Sequence, residues 1–243
     1  MEKIFISTKQ LIISIIFFGG NSFIFIFYLK ELFTNIQLLQ YLTCLSYYAN
    51  SIFLFLCLIC DILLYLNNNS EKGDTDYHLI NEQNTNSETN ITWVEKLNNW
   101  NRNKYGIICN TFSFFVSISF WILYFLGESY IKTSNKFYAF LSTINLHLII
   151  SVLVIIDILV SKREHTFSWY YFKIISFIFF IYCVITGIEK YCFNINPYAF
   201  MNGGLLFLIL YVLLSFVILY FSYLFNAYLI EYKNKDNYMI KEE

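Results

Sequence analysis

The sequence predicts an all-α fold, a polytopic membrane protein in which six transmembrane helices form one bundle. Hydrophobic residues make up 58% of the 243 residues, and the mean hydropathy is +0.54, which is too apolar for a soluble domain of ordinary composition. The apolar residues fall into six runs of membrane-spanning length, with one long hydrophilic segment between the second and third. A single proline indicates that the helices contain few kinks. We therefore expect residues 1–243 to form one membrane domain.

The first apolar run, residues 11–29, is predicted to span the membrane. At 1.5 Å per residue it reaches about 28 Å, close to the roughly 30 Å thickness of bilayer hydrocarbon. A signal peptide is the alternative interpretation, but the run is long for one and no small-residue cleavage site closes it. Gly19 and Gly20 in its middle favour close contact with another helix.

The second predicted span, residues 38–66, is followed by a hydrophilic loop at 67–104. Up to about Asn90 the loop is rich in polar residues and has almost no apolar periodicity, which predicts disorder. Beyond that point, apolar residues at helical spacing predict a short amphipathic helix on the membrane surface, with a plain loop as the alternative. These residues are Trp93, Val94, Leu97 and Trp100.

The remaining predicted spans cover residues 107–126, 137–160, 171–188 and 205–230. An even number of spans puts both termini on one side of the membrane. Twelve of the 16 Lys and Arg residues lie on that side, in the termini and in the second and fourth loops. The positive-inside rule therefore predicts that both termini and the long loop are cytoplasmic. We expect the membrane to be the endoplasmic reticulum or the plasma membrane.

Two N-glycosylation sequons in the long loop, at Asn68 and Asn90, instead favour a lumenal loop. An Asn-rich segment produces such tripeptides by chance, whereas the charge bias draws on 16 residues on both sides. We therefore predict that neither asparagine carries a glycan.

Composition also limits the partners and cofactors. The net charge of −1 gives no support to a nucleic-acid partner. Five of the six cysteines lie within or beside apolar runs, so the sequence predicts no disulfide framework. Cys57 and Cys60 form a Cys-x-x-Cys pair, but no second pair completes a tetrahedral zinc site. We therefore predict no metal and no cofactor.

Polar residues in the second span follow one stripe. Read as a helix, the span places them at alternating steps of four and three, which brings them to one face. We expect this face to point into the bundle. Its residues are Thr43, Tyr47, Asn50, Leu54, Cys57 and Asp61.

The fourth span contains Asn145, His147 and Asp157. Ionisable groups inside a membrane are costly, so each needs a partner or a function. A lone intramembrane histidine can be structural, part of a proton or ion path, or catalytic. We expect Asp61 and Asp157 to lie near the cytoplasmic ends of their helices and to meet Lys162, Arg163 or other helix partners there.

Several motifs occur in a fixed order along the chain. They are Tyr-Leu-Thr at 41–43 with Cys-Leu-Ile-Cys-Asp at 57–61, Phe-Trp-Ile-Leu-Tyr at 120–124, His147 with Asp157 ten residues later, and Ile-Thr-Gly at 185–187 with Tyr191 and Phe193 after it. In order and spacing the chain resembles the androgen-induced protein family from about residue 41 to residue 193. It departs from the family at three positions, where Ile144, Glu189 and Cys192 replace a histidine, a tryptophan and a proline.

The resemblance implies six spans and hydrolysis of fatty acid esters of hydroxy fatty acids, with a lipid drawn from the bilayer as substrate. The family's threonine nucleophile and histidine base match Thr43 and His147. Counted from the outer ends of their spans, these residues lie at depths of about 7 Å and about 15 Å. An uncertainty of two to four residues in each span boundary shifts either depth by about 3–6 Å, so opposite shifts in the two spans can bring the residues to one depth. We expect the two side chains to face one another across an enclosed cavity.

An ester hydrolase also needs a donor for the oxyanion, and Asn50 and Asn145 are the candidates. The same polar residues are also compatible with two other functions. One is a non-enzymatic membrane regulator or lipid-binding scaffold. The other is a transporter or channel, against which the spans show no inverted repeat.

Overall fold

A computed structural model describes residues 7–22, 25–26, 42–73, 85–126, 145–161, 163, 167–193 and 205–239. All the secondary structure in these ranges is helical. Seven α-helices and three π-helical segments follow one another along the described chain. In order they are α1 (Thr8–Ile13), π1 (Ser14–Gly19), α2 (Leu42–Gly73), α3 (Thr85–Trp100), π2 (Asn101–Tyr105), α4 (Gly106–Leu126), π3 (Asn145–Ile149), α5 (Ile150–Val160), α6 (Trp169–Phe193) and α7 (Leu205–Met239).

Within the described ranges, four helical stretches are long and apolar enough to cross a membrane: Leu42–Asn67, Trp93–Leu123, Trp169–Phe193 and Leu208–Lys235. A shorter apolar helix covers His147–Val160. The all-α prediction is therefore confirmed for the described residues, and the four stretches support an integral membrane protein. The count of six spans stays a prediction.

Before the third span the sequence predicts a surface helix within a loop, but the structure has a continuous helix there. α3, π2 and α4 follow without a break, so the spanning stretch begins at Trp93. Its polar face is the buried one, whereas Trp93 and Trp100 are 62% and 48% exposed. The helix is amphipathic as predicted, but it packs on α2 because its polar residues find partners there. The buried polar residues are Glu95, Asn98, Asn101 and Arg102.

Helix also extends into the part of the 67–104 loop that was predicted to be disordered. α2 continues to Gly73, and α3 begins at Thr85. Residues 74–84 lie outside the described part of the chain.

α2 and α4 are antiparallel and closely packed. Asn50 bonds to the carbonyl of Cys109 at 2.9 Å, and Phe53, further along α2, meets Gly106, which comes earlier on α4. A Cβ built on Gly106 would lie 2.7 Å from the ring of Phe53, so a larger residue would force the ring or a helix to shift, whereas glycine allows this approach. Tyr105 completes the contact by donating to the carbonyl of Ala49 at 3.2 Å.

Serine side chains join α4 to α5, which is also antiparallel to α4. Ser151 lies 2.6 Å from Ser117 and 3.1 Å from Ser113, measured between hydroxyl oxygens. Hydroxyls and small side chains are the usual means by which membrane helices pack closely.

α6 and α7 form the more exposed side of the bundle. Only 17% of the residues in the most apolar part of α6 and 22% of those in the most apolar part of α7 are buried. Their inner faces pack on α4 through an aromatic and aliphatic cluster that includes Phe115, Phe179 and Leu219. The exposed faces carry large apolar side chains, as surfaces that contact lipid require.

Candidate functional site

His147 lies in π3, immediately before α5. Only 7% of the residue is exposed. Its ring stacks on Phe120 of α4, with ring centroids 3.7 Å apart and planes within 14°. Nδ1 of His147 is buried and has no hydrogen-bond partner among the described residues. π-helical turns are rare and occur often at functional sites, so both the backbone and the unpaired nitrogen mark this histidine.

The backbone of His147 is attached to α4. The hydroxyl of Ser117 donates to the His147 carbonyl, and Ser117 also contacts Ser151 one turn further on. The serines therefore hold the π3 turn through its main chain.

The predicted stripe on α2 faces the interior. Thr43 is half-buried, and the five residues that follow it on the stripe are each at most 1% exposed: Tyr47, Asn50, Leu54, Cys57 and Asp61. The prediction that this face points into the bundle is confirmed. The buried surface is wider than predicted, because Ser51 and Phe53 are also fully buried.

Contacts with α4 show at which level of the bundle Thr43 and His147 lie. Asn50 bonds to Cys109, which sets one level common to α2 and α4. From there Thr43 is about 10 Å along α2, and Ser117 is about 12 Å along α4 in the same direction. Ser117 contacts His147. Thr43 and His147 therefore lie near one level, although no hydrogen bond joins them among the described residues.

Asn50 does not offer a free donor for an oxyanion. Its Nδ2 donates to the carbonyls of Ser46 and Cys109, both at 2.9 Å. A side-chain amide has two hydrogens, so both are in use, and Asn50 joins α2 to α4 instead. The side chain of Asn145 lies outside the described residues, so its role as a donor stays a prediction.

A pocket of about 90 Å³ lies between the start of α2 and helices α4, α6 and α7. Neither Thr43 nor His147 lines it, which differs from the expected cavity between these two residues. The lining residues are Leu42, Phe115, Phe179, Tyr182, Cys183, Thr186, Gly187, Leu208, Tyr211, Val212 and Ser215.

A buried ion cluster of four charged residues, Asp61, Arg102, Asp157 and Arg163, lies away from His147. Nη2 of Arg102 contacts both carboxylate oxygens of Asp61, at 2.8 and 2.9 Å, and Nη1 lies 3.4 Å from Asp157. Arg163 pairs with the other oxygen of Asp157. The expectation that Asp157 meets Arg163 is confirmed for this pair. The sequence does not predict the burial of Arg102, because it places this residue in the 67–104 loop.

Other helices attach to the same cluster. Ser14 in π1 donates to the α2 carboxylate at 2.5 Å, and Nε of Arg102 donates to Asn98 of α3 at 2.9 Å. From α7, Lys233 donates to the carbonyl of Ser161, which follows α5. The sequence does contain a signal for Arg102: two aspartates lie inside predicted spans, and each needs a cation as partner if it is buried.

In the described ranges no three His, Cys, Asp or Glu residues are grouped as a metal site requires. Cys57 and Cys60 are fully buried and unbridged. Asn101 donates to the sulfur of Cys57 at 3.2 Å, so this thiol takes part in helix packing.

Comparison of the chain with protein-family models, curated proteins and solved structures finds no match. The resemblance to the androgen-induced protein family therefore depends on the sequence motifs alone.

Proposed function

We propose that this chain is a membrane-embedded lipid ester hydrolase, of the type that cleaves fatty acid esters of hydroxy fatty acids, with Thr43 as nucleophile and His147 as general base. The observation that carries the proposal is the imidazole of His147. It is buried, stacked on Phe120, and its Nδ1 has no hydrogen-bond partner in the described part of the chain. A base needs such a nitrogen with a free lone pair.

The position of Thr43 supports the same proposal. It is the half-buried end of an otherwise buried face of α2, near the level of His147 along the bundle. A threonine hydroxyl is a weak nucleophile until a base removes its proton. Approach of an ester would complete the pair, because catalytic hydrogen bonds are often long before substrate binds.

The reaction follows two balanced steps. His147 accepts the hydroxyl proton while the oxygen of Thr43 attacks the ester carbonyl; the carbon–oxygen bond to the hydroxy fatty acid breaks, and its oxygen takes the proton from the imidazolium. Water then gives a proton to His147 and attacks the acyl-threonine, and the fatty acid leaves as Thr43 regains its proton. The net reaction consumes one water and releases a fatty acid and a hydroxy fatty acid.

We place this hydrolase in the endoplasmic reticulum or plasma membrane as a multi-pass protein with both termini cytoplasmic. The charge bias of the loops supports this topology. It puts Thr43 and His147 in the outer half of the membrane, so the substrate would enter from the outer leaflet.

The test uses His147→Phe and Thr43→Ala in purified protein. Phenylalanine retains a ring to stack on Phe120 but removes the base, so we expect a loss of about 10²–10⁴-fold in ester hydrolysis. Thr43→Ala should abolish hydrolysis. Thr111→Ala is the matched control, because it removes a buried threonine hydroxyl that donates to the Ile107 carbonyl and accepts from Asn226, outside the proposed catalytic pair. Full activity in either test variant would contradict the mechanism.

One observation favours a second function, a lipid-binding scaffold without catalysis. The apolar pocket is lined by neither Thr43 nor His147, so lipid binding does not require the pair. Labelling with a lipid-like fluorophosphonate distinguishes the two functions. Modification of Thr43 that disappears in His147→Phe supports the hydrolase, and absence of any modification supports the scaffold.

A further inference from the structure

The apolar pocket is separated from His147 by helix α4. Phe115 lines the pocket, whereas Ser117 contacts the His147 backbone. Two residues along an α-helix differ by about 200° around its axis, so these side chains leave α4 on nearly opposite sides. The pocket is a second site, distinct from the proposed catalytic pair.

The lining of the pocket is suited to hydrocarbon. None of the described residues that line it has a charged side chain, so they offer nothing to neutralise a carboxylate or phosphate. Its hydroxyls are already bonded within the protein: Tyr182 accepts from the backbone of Leu42 at 3.1 Å, Thr186 donates to the Tyr182 carbonyl at 2.8 Å, and Tyr211 bonds with Ser215. A hydrocarbon occupant therefore leaves none of these hydroxyls without a partner.

The size and place of the pocket agree with this chemistry. A cavity needs about 10–15 Å³ to hold one water, so the pocket, at about 90 Å³, has room for several methylene-sized groups and therefore for part of an acyl chain. Helices α6 and α7 supply most of its walls, and they are the least buried of the four described stretches that could cross a membrane. At Gly187 a built Cβ would meet no atom within 4 Å, so the absent side chain leaves space at the wall.

We propose that this pocket binds one acyl chain of a membrane lipid, with the polar head remaining outside. The chain would enter from the bilayer between α6 and α7 and end against Phe115 of α4. Binding there is independent of hydrolysis, because neither Thr43 nor His147 contributes to the walls.

The experiment uses a photoreactive, alkyne-tagged palmitic acid, cross-linked to the purified protein in phosphatidylcholine nanodiscs and mapped by peptide mass spectrometry. We expect cross-links on pocket residues such as Cys183 and Val212 that saturate with probe and are competed by untagged palmitate. Gly187→Leu fills the open space at the wall and should eliminate the saturable cross-links. Gly20→Leu is the matched control, because its added side chain also begins in open space, whereas Gly20 directly follows π1 and does not line the pocket.

Two results would overturn the proposal. One is labelling that neither saturates nor is competed and that is spread over exposed residues such as Ile209 and Leu213, which indicates surface lipid only. The other is undiminished pocket labelling in a monodisperse Gly187→Leu protein. If that variant does not fold, saturation, competition and peptide mapping in the unmodified protein decide the question alone. Thr43→Ala should retain the cross-links while losing hydrolysis, so failure of the pocket and failure of the catalytic proposal are distinguishable.

Discussion

Several buried polar residues in this bundle form hydrogen bonds that join different helices. Asn21 donates to Ser51 at 3.2 Å, and Asn226 of α7 donates to the carbonyl of Ile107 at 3.3 Å. In hydrocarbon an unpaired polar group costs several kcal/mol, as a rough scale. Each pair therefore specifies which helices are neighbours as well as contributing to stability.

The residues of the ion cluster depend most strongly on their partners, because they are charged as well as buried. Asp61 and Asp157 are at most 1% exposed, and Arg102 and Arg163 are each 3% exposed. Removing one member of a buried pair leaves its partner charged and desolvated, at a cost of about 3–5 kcal/mol. The four charges balance, so the cluster as a whole requires no counter-ion.

The first prediction concerns Arg102. Arg102→Met leaves two buried aspartates with fewer cations, and we expect it to lower the free energy of unfolding by about 3–5 kcal/mol. Reversible unfolding in mixed micelles measures the change. Lys235→Met is the control, because its pair with Glu231 is 72% and 58% exposed and should contribute at most about 1 kcal/mol. Equal effects of the two substitutions would show that the cluster is not a buried ionic site.

At the scale of helices, every described π-helical segment has a polar contact with a neighbour. Ser14 in π1 and Arg102 in π2 both bond to Asp61, and the His147 carbonyl in π3 accepts from Ser117. A π turn alters the regular spacing of the helix, which changes the direction of nearby side chains and carbonyls. The irregular turns therefore coincide with the polar contacts between helices.

Close approach of α2 and α4 depends on Gly106. A Cβ there would lie 2.7 Å from the ring of Phe53 and 3.1 Å from the Asn101 carbonyl. We predict that Gly106→Ala destabilises the protein by about 1–3 kcal/mol through overpacking. Thermal unfolding in micelles, followed by far-ultraviolet circular dichroism, measures this loss.

A second substitution checks the cause of that loss. Phe53→Leu in the Gly106→Ala background removes the clashing ring and should restore part of the stability. Gly20→Ala, with no atom within 4 Å of the added Cβ, should be neutral or slightly stabilising. If the double variant is no more stable than Gly106→Ala alone, the ring contact is not the reason.

At the scale of the molecule, the apolar part of α7 has polar side chains on its buried face and large apolar side chains on its exposed face. Leu205, Leu206 and Phe221 are each more than half exposed, whereas Ser222 and Asn226 are buried. A soluble protein has the reverse arrangement. The exposed face of α7 is therefore suited to contact with lipid, and its buried face bonds to α4 through Asn226.

Topology provides the last prediction. If the long loop is cytoplasmic, Asn68 and Asn90 carry no glycan, and protease added outside intact microsomes cleaves the loop. The measurement is electrophoretic mobility with and without endoglycosidase, with Asn90→Gln as control. A shift that is lost in Asn90→Gln would invert the topology and move Thr43 and His147 to the cytoplasmic half of the membrane.

The sequence by itself determined the class of fold and the inner face of α2. Length and apolarity of a run predict a spanning helix, and the steps of four and three from Thr43 to Asp61 predict one face. Both signals are local, since they depend only on backbone geometry within one helix. The roles of Thr43 and His147 as a catalytic pair stay predictions from the resemblance.

Tertiary structure alone decided the polar contacts. The sequence predicts that Arg102 lies in the 67–104 loop and that Asn50 is a candidate oxyanion donor. The structure instead buries Arg102 between two aspartates, and Asn50 donates to the Cys109 carbonyl. The acyl-chain pocket also depends on four separate segments of the chain. Periodicity shows which side of a helix is inside, but the partner of a polar group depends on which helix lies opposite, and that is set by packing of the whole bundle.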